Sequence, residues 1–250
     1  LEALVETIAN TGYRVGALVL DAAWFTPQSR PRLFIIAHKG KIPAGMEGAP
    51  DPAFHPNNLQ NAVARMSAQT RMAWTWWKLP APPLRNTVLA DVIDETPPDA
   101  LWRSDDAMEK LRTQMSNTHK TRLKQAEASG ERHIGAVYRR IRVEGGQRVQ
   151  RAEVRYDGLA GCLRTPAGGS SKQFLLVTDK GRTRLRALSA REAARLMGVD
   201  DGYRLPAKET PALKVVGDGV CVNAVQWLSE NLLARLCKYH AQSAHEIAAE

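Results

Sequence analysis

The sequence lacks the features that mark disulfide-bonded, zinc-binding and membrane proteins. Its 250 residues include only three cysteines, Cys162, Cys221 and Cys237, with no CxxC spacing and no histidine pair at metal-ligand distance from them. No run reaches the roughly 18 apolar residues of a membrane span, and no basic flank leads into an apolar N-terminal stretch with a cleavage site. These absences predict a protein without a metal or a membrane partner, in a reducing compartment such as the cytoplasm.

Positive charge is abundant and unevenly distributed along the chain. Lys and Arg number 35 against 26 Asp and Glu, which gives a net charge of +9 and a sequence pI near 9.7. Residues 131–195 contain 15 basic and 6 acidic residues, so this quarter of the chain accounts for the whole excess. When Lys and Arg neutralise phosphates, the counterions bound to the nucleic acid are released, and this release favours binding. A segment with many basic residues is therefore typical of a nucleic-acid contact. The charge therefore favours nucleic acid as a partner, with an anionic membrane surface or solubility alone as the alternatives.

The first forty residues have the pattern of an α/β layer. Apolar residues at helical spacing predict a helix over residues 1–10, and two short apolar runs, 15–20 and 33–37, predict buried strands. Two strands alone leave both faces of a sheet uncovered, so the partners of this layer are expected elsewhere in the chain or outside it. The chain begins at Leu1 rather than Met, inside the predicted helix, which favours a fragment whose upstream part has been removed.

The middle of the chain has a different character and is predicted to be a small, basic module containing several strands. It follows a Gly- and Pro-rich boundary, residues 40–56, and extends to about residue 185. A helix capped by Ser104 is predicted to run to about Gly130. A hairpin that turns at Glu144-Gly145-Gly146-Gln147, and a further strand, are predicted after it.

The C-terminal part is predicted to be helical. Ser189-Ala190-Arg191-Glu192 fits a capping box, in which the Ser side chain accepts from the N3 amide and Glu reaches back to the cap amide. That helix is predicted to end at Gly198. A second helix, with apolar residues at helical spacing, is predicted to follow Gly217-Asp218-Gly219.

Three loops carry residues that suit chemistry, and each taken alone is also open to a structural interpretation as an ordinary turn. Arg30 and Arg32 alternate before the second predicted strand, where a planar guanidinium suits phosphate, carboxylate or a base carbonyl. Gly168-Gly169 would let a ligand approach the backbone, and Ser170-Ser171-Lys172 would supply donors. Gly217-Asp218-Gly219-Val220 are predicted to lie at a helix N-terminus, where free amides favour an anion or the polar edge of a cofactor.

In their order and spacing these segments resemble the C-terminal half of the DNA cytosine-5 methyltransferase family. Gly12-Tyr13-Arg14-Val15 through Leu20-Asp21-Ala22 is similar to the segment before that family's eighth conserved motif, and Pro27-Gln28-Ser29-Arg30-Pro31-Arg32-Leu33-Phe34 is similar to the PQxRxRxF core of the motif. Residues 186–198 resemble the ninth motif, RxLTxREAARLxG, and Gly217-Asp218-Gly219-Val220 with its helix resembles the tenth. Between motifs eight and nine the family places its variable target-recognition domain, which is where the basic module lies.

The resemblance implies an α/β fold, the C-terminal portion of a Rossmann-like S-adenosylmethionine-dependent methyltransferase domain with an inserted small α+β target-recognition domain. On this interpretation residues 1–40 are the last strands of the catalytic domain. Residues 41–185 are the target-recognition domain, and residues 186–250 are a helical return to the catalytic domain.

The implied activity is transfer of a methyl group from S-adenosylmethionine to carbon 5 of a cytosine flipped out of duplex DNA, because that carbon is shielded within the base stack. The resemblance implies catalytic roles for Arg32, which would approach the base or the catalytic acid, and for Arg30 and Gln28, which would organise the loop and nearby phosphates. The residues it implies for DNA contact are Arg164, Thr165, Gly168, Gly169, Ser170 and Lys172. Those implied for the cofactor are Asp218, Gly219 and Val220, and those implied for structure are Arg191, Glu192 and Arg195.

The sequence departs from the family pattern mainly in what it omits. It contains no Pro-Cys dipeptide for the nucleophile, no Glu-Asn-Val for the catalytic glutamate and no glycine-rich cofactor loop, and Asp218 stands where the family usually has Asn. The chain is therefore expected to be inactive alone. Duplex DNA and the N-terminal catalytic half, which would hold most of the S-adenosylmethionine pocket, are its expected partners, in a bacterial-type, nucleoid-associated restriction-modification setting.

Two further interpretations are compatible with the sequence. One is a non-catalytic subunit that uses the same recognition domain to bind DNA. The other is the family's branch that methylates transfer RNA, against which the long basic insert argues, since the resemblance implies a compact recognition region in that branch.

Overall fold

The computed structural model describes residues 1–165 and 172–238, which have a mixed α/β fold, as the sequence predicts. The described residues divide into two compact units. Unit 1 comprises residues 1–21, 31–83 and 224–238, and unit 2 comprises residues 22–30, 84–165 and 172–223. None of the helices in the described part of the chain is long and apolar enough to cross a membrane.

Unit 1 is built on an antiparallel pair of strands. Tyr13 pairs with Lys39 at one end of the ladder, and Asp21 pairs with Pro31 at the other. One face of the pair packs on helices through a core that includes Val15, Leu59 and Val63. The regular elements of this unit are α1 (Glu2–Ala9), β1 (Tyr13–Asp21), β2 (Pro31–Lys39), α2 (Asn57–Ala64) and α3 (Ala68–Met72).

The first strand is buried because a second segment lies along its other edge. The Val15 amide donates to the carbonyl of Ala73 and the Thr75 amide donates to the carbonyl of Val15, both at 2.8 Å. A Cβ added at Gly16 would lie 2.3 Å from the Thr75 carbonyl oxygen and 2.5 Å from Nε1 of Trp77. Only glycine permits this approach, so the residues around Trp77 are fixed against β1.

The prediction that the second strand is buried is wrong. Residues 33–37 do form part of β2, but Leu33 is 49% and Ile35 is 37% exposed, and Ile36 is the one residue of this run that is buried. Among the described residues β2 pairs with β1 alone, which makes it an edge strand with one open face. An edge strand of this kind exposes the alternate side chains that a further layer would cover.

Residues 41–83, the first part of the predicted recognition domain, lie in unit 1 by their contacts, and the domain assignment itself stays a prediction. They contain no strand of the unit 2 sheet, and their tryptophans Trp74 and Trp77 are buried beside β1. The contacts therefore divide the chain after residue 83 rather than in the Gly- and Pro-rich stretch near residue 40. Which residues recognise DNA stays a prediction.

Unit 2 contains a four-stranded antiparallel sheet with the strand order β4-β3-β5-β6. The predicted hairpin is confirmed: β3 and β4 are joined by Gly145 and Gly146, whose φ angles of 55° and 80° suit a two-residue turn. The strands are β3 (His133–Glu144), β4 (Gln147–Arg155), β5 (Phe174–Asp179) and β6 (Arg182–Ala187). The helices of unit 2 are α4 (Leu89–Val92), α5 (Asp105–Thr113), α6 (Asn117–Ala128), α7 (Ala190–Leu196) and α8 (Glu209–Asp218). The next helix, α9 (Val222–Leu228), lies mostly in unit 1.

Apolar side chains leave this sheet on both faces. Ile134 and Leu175 belong to a buried cluster with residues of α4, α7 and α8. Val137 and Leu176 belong to a second cluster with residues of α5 and α6. Successive residues of a strand point to opposite faces, so helices cover the sheet on both sides.

The single helix predicted from Ser104 to about Gly130 is two helices, α5 and α6. Ser104 caps the first through the Ala107 amide, as predicted. The break follows because the carbonyl of Gln114 accepts from the Ala152 amide of β4 at 3.0 Å and Met115 is buried beside that strand. Pairing with a neighbouring strand thus interrupts a segment whose own residues favour a continuous helix.

His55 lies fully buried in an aromatic cluster of unit 1. Its Nδ1 accepts from the amide of Asp51 at 2.9 Å, and its ring packs edge-on against Trp76 with 4.8 Å between centroids. Burial lowers the pKa of His55 below its ordinary 6.5, and the smaller opposing effect of Asp51 does not compensate. The fold therefore holds the neutral imidazole.

We expect the stability of unit 1 to depend on pH through His55. As the pH falls below about 6.5 the unfolded chain binds a proton that the folded chain rejects, so the free energy of unfolding should decrease. In His55→Asn the amide oxygen keeps an acceptor near the position of Nδ1, and this pH dependence should be lost. Urea unfolding followed by tryptophan fluorescence at pH 7.5, 6.5 and 5.5 measures it, with His133→Gln in unit 2 as the control. An unchanged pH dependence in His55→Asn would contradict the assignment.

Candidate functional site

The loop between β1 and β2 belongs to unit 2, although both strands belong to unit 1. It is closed by the amide of Ala22, which donates to the carbonyl of Arg30 at 3.3 Å. Next to Gln28, the Ala160 amide donates to the carbonyl of Pro27 and the Ser29 amide donates to the carbonyl of Ala160. This short parallel pairing fixes the backbone of the loop, so the directions of its side chains are fixed as well.

Gln28 is completely buried, and every polar atom of its side chain has a protein partner. Its Nε2 donates to the carbonyl of Leu196 at 2.9 Å and contacts Sδ of Met197 at 3.2 Å. Its Oε1 accepts from the amide of Leu163 at 3.1 Å. One amide group thus joins the loop to the end of α7 and to the segment that precedes Arg164.

Arg30 is also buried and joins two further segments. Its guanidinium donates to the carbonyl of Leu163 at 2.6 Å and to the carbonyls of Gly217 and Gly219, both at 2.8 Å. The side chain is 4% exposed, so these carbonyls stabilise a charge that is almost removed from water. Arg30 therefore fixes the turn after α8 relative to the segment around Leu163.

The three residues predicted to be catalytic have different environments. Gln28 and Arg30 are buried against protein groups, so we assign them a positioning role, in agreement with the organising function that the resemblance implies. Arg32 belongs to unit 1, is half-buried, and donates from its guanidinium to the carbonyl of Pro31 at 2.9 Å. A direct role at the reacting base stays a prediction for Arg32.

The prediction that Gly217-Asp218-Gly219 stands at the start of a helix is wrong for the first two residues, which end α8. A Cβ added at Gly217 would lie 2.6 Å from the amide nitrogen of Thr165, so glycine is needed for two backbones to cross there. The Thr165 hydroxyl donates to the carboxylate of Asp218 beside this crossing. Asp218 therefore anchors the chain that leads into the predicted DNA-contact segment, a role that motif comparison alone did not reveal.

Two of the residues predicted to contact DNA lie at the same cavity. Arg164 and Lys172 are exposed and line a cavity of about 430 Å³ in unit 2, together with Arg103. The apolar part of its wall includes Leu163 and Val216. No motif marks Arg103, and only the folding of the chain brings it to this cavity. The predicted contacts Gly168, Gly169 and Ser170 lie outside the described residues.

The helix of the ninth motif begins with the predicted capping box, in which Ser189 and Glu192 bond to each other's backbone amides. Glu192 is completely buried and accepts two hydrogen bonds from Arg186, at 2.6 and 2.9 Å, and one from the amide of Asp94. Burial alone would raise the pKa of Glu192, but the bonds from Arg186 and the Ser189 amide outweigh it and lower the pKa. The carboxylate is therefore charged and holds residue 94 against α7.

The two arginines on α7 also bond within unit 2. Arg195 donates to the carboxylates of Asp94 and Asp201 at 2.6 and 2.7 Å. Arg191 donates to the carbonyls of Asp200 and Tyr203. These contacts join the helix to the two segments beside it. Across residues 1–165 and 172–238, no three His, Cys, Asp or Glu side chains are close enough to hold a metal ion.

Comparison with known proteins gives one family and a set of similar folds. The family model described as C-5 cytosine-specific DNA methylase matches residues 1–234. No curated protein sequence matches the chain significantly. The Dnmt2 methyltransferase of S. pombe is similar in structure, with a TM-score of 0.52 and 15% identity over 94% of this chain and 62% of that chain. The methyltransferase EhMeth of Entamoeba histolytica is similar with a TM-score of 0.50 and 10% identity, over 94% of this chain and 57% of that chain. The chain thus spans less than two thirds of these structures, and the likeness concerns the fold.

We expect Arg30→Lys to destabilise the protein strongly. A lysine keeps the charge but cannot reach three carbonyls in two directions, so buried acceptors would lose their donors at about 1–3 kcal/mol each. The free energy of unfolding, measured by urea denaturation, should fall by about 2–4 kcal/mol. Arg32→Lys is the matched control, since its side chain is half-buried. A change below about 0.5 kcal/mol in Arg30→Lys, the range of ordinary surface substitutions, would contradict the positioning role.

The buried pair of Arg186 and Glu192 gives a second prediction. Glu192→Gln keeps the side-chain shape but leaves the buried guanidinium without its counter-ion, which should cost about 3–5 kcal/mol. Asp201→Asn removes an exposed partner of Arg195 and should cost at most about 1 kcal/mol. Urea denaturation of both variants tests the difference, and equal losses would show that burial does not set the strength of this pair.

Proposed function

Because the chain belongs to the C-5 cytosine-specific DNA methylase family, we propose that it forms the target-recognising part of an S-adenosylmethionine-dependent DNA cytosine-5 methyltransferase. The methyl group would pass to carbon 5 of a cytosine flipped out of duplex DNA. The observation that carries the proposal is the convergence of the motif segments: Gln28 and Arg30 of the PQxRxRxF loop bond to the end of α7 and to the Gly217 turn. Arg32 follows Arg30 by two residues in the same motif.

The nucleophile of this reaction would come from outside the 250 residues. The mechanism needs a cysteine thiolate that attacks carbon 6 and a glutamate at the ring, and the family's motifs for both are missing from the sequence. None of the three cysteines follows a proline; Cys221 is buried, Cys162 is half-buried and Cys237 is exposed. We propose that an N-terminal catalytic half supplies both groups.

The open face of β2 supports a partner of this kind. Leu33 and Ile35 are exposed apolar residues on an edge strand. Apolar side chains on an unprotected edge favour association, so a protein normally covers or blocks them. The catalytic half of a methyltransferase would pack on this face of the strand and bury both residues.

The residues that correspond to the cofactor segment fit a minor part of an S-adenosylmethionine site. The carboxylate of Asp218 is bonded to Thr165 and the carbonyl of Gly219 to Arg30, while the side chain of Val220 is 46% exposed. These residues would offer one apolar wall, and the polar groups of the cofactor would need donors and acceptors from the N-terminal half. When bound, S-adenosylmethionine supplies the methyl group.

Exposed cations support a nucleic-acid substrate. Arg103, Arg164 and Lys172 line one cavity of unit 2 and are exposed. Phosphate contacts from such residues orient a protein on DNA without reading its sequence. We propose that they contact the backbone of the target strand, which predicts that binding weakens as the salt concentration rises.

Methyl transfer from labelled S-adenosylmethionine tests the proposal. The substrates are mixed-sequence duplex DNA and transfer RNA, and the enzyme is this chain alone or co-expressed with a family N-terminal half that contains the cysteine. Transfer to duplex DNA by the mixture only is the expected result. Salt-sensitive DNA binding without transfer, by a mixture whose N-terminal half is active with its own C-terminal half, would favour a non-catalytic binding subunit. Transfer to RNA alone would favour the family's RNA branch.

In the complemented enzyme, Arg32→Ala should abolish methyl transfer and reduce DNA affinity only modestly. The reason is that a residue near the reacting base contributes mainly to the transition state. Labelled methyl transfer and duplex binding are measured on the same preparations, with Arg65→Ala, an exposed arginine of unit 1, as the matched control. Unchanged transfer in Arg32→Ala would refute the role.

A further inference from the structure

The β3–β4 hairpin continues beyond the sheet of unit 2 as a two-stranded arm, which we define as residues 139–153. β3 pairs with β5 only through residues 133–137, whereas its pairing with β4 extends to Glu144 and Gln147. In β3 all residues from Arg140 to Glu144 are exposed. Neighbouring residues of a strand point to opposite faces, so the outer part of the arm is open to solvent on both sides.

The arm carries a concentration of arginine. It contains five arginines and two glutamates. Arg140 and Arg142 share the carboxylate of Glu153, and Arg151 pairs with Glu144. Arg148 is exposed and forms no ion pair with any residue that the structure describes. The arginine side chains of these pairs are 30–52% exposed. Surface ion pairs contribute little to stability, so these arginines can exchange their carboxylates for phosphates at small cost.

The arm also exposes apolar side chains. Ile141 is 54% and Val143 is 72% exposed. Val143 pairs with Arg148 and Ile141 pairs with Gln150, so these four side chains share one face of the arm. Arginine at a strand edge is also a protection against edge-to-edge association. Protection of the edge does not account for Ile141 and Val143, because exposed β-branched residues on a strand favour association rather than prevent it.

We propose that the arm enters the major groove of the target DNA, with the face of Ile141, Val143 and Arg148 toward the bases. The inference rests on the proposed function, whose substrate is duplex DNA, and names the element that reads it. Two strands lie about 4.8 Å apart, and with their side chains they match a groove about 12 Å wide. Arg148 presents a guanidinium that suits a guanine, and the apolar side chains suit a thymine methyl group. The arginines on the opposite face would contact phosphates.

Equilibrium binding of the full chain to two labelled duplexes tests the arm. One duplex is enriched from a random-sequence pool by the unsubstituted chain, and the other is drawn from the pool before enrichment. Arg148→Gln should raise the Kd for the enriched duplex about 10-fold, within the range for loss of one base contact, and change the other less than about 3-fold. Val143→Thr should weaken the enriched duplex to a smaller degree. Arg204→Gln, an exposed arginine elsewhere in unit 2, is the matched control. Thermal melting confirms that each variant is folded.

Three results would overturn the inference. The first is a pair of arm variants that bind both duplexes as the unsubstituted chain does. The second is a uniform loss on both duplexes, with a salt slope smaller by about one, which indicates a phosphate contact for Arg148. The third is a pool that yields no enriched sequence. A chain that binds no duplex refutes the DNA substrate as well. If the chain prefers the enriched duplex and this preference depends on Arg148, but the complemented enzyme transfers no methyl group, the proposed function is refuted and the inference about the arm is not.

Discussion

The arrangement of unit 2 depends on a buried arginine that has three protein carbonyls as acceptors. A guanidinium removed from water is tolerated only where its donors are satisfied, so Leu163, Gly217 and Gly219 must keep their positions around Arg30. These residues are more than a hundred positions from Arg30 in sequence. The same requirement explains why the loop between two strands of unit 1 packs as part of unit 2. Displacing any of these segments would leave a buried charge or a buried carbonyl without its partner.

Local features of the fold could be predicted where a short stretch of sequence contains the whole interaction. The capping box of Ser189 and Glu192 and the two-residue turn at Gly145 and Gly146 are of this kind. The break after α5 could not be predicted, because the bond that replaces the helical one comes from Ala152 on β4. The exposure of β2 also could not be predicted, because it depends on which distant elements cover the strand, and the apolar residues of the strand do not show this.

The motifs name the residues of the candidate site, but they do not show what each residue does. The motifs identify Gln28, Arg30 and Asp218, but whether a polar residue binds a substrate or holds the protein together depends on its burial. Gln28 and Arg30 are buried against backbone groups. Asp218 stands where the family usually has Asn and is bonded to Thr165, beside a crossing of two backbones that only Gly217 allows. Tertiary contacts therefore decide how a residue that a motif names is interpreted.

Burial also separates the arginines of unit 2 into two groups with different environments. Arg30 and Arg186 are buried and donate hydrogen bonds to protein oxygens, so a ligand could reach them only if the fold opened. Arg103, Arg148 and Arg164 are exposed, and their hydration is easily exchanged for phosphate or base contacts. The large positive charge of the sequence consequently overstates what is available to a polyanion. A change at a buried arginine acts on folding, and only through folding on binding, whereas a change at an exposed one acts on binding directly. The charge that holds the fold together and the charge that is open to a polyanionic partner are thus carried by different residues of the same type.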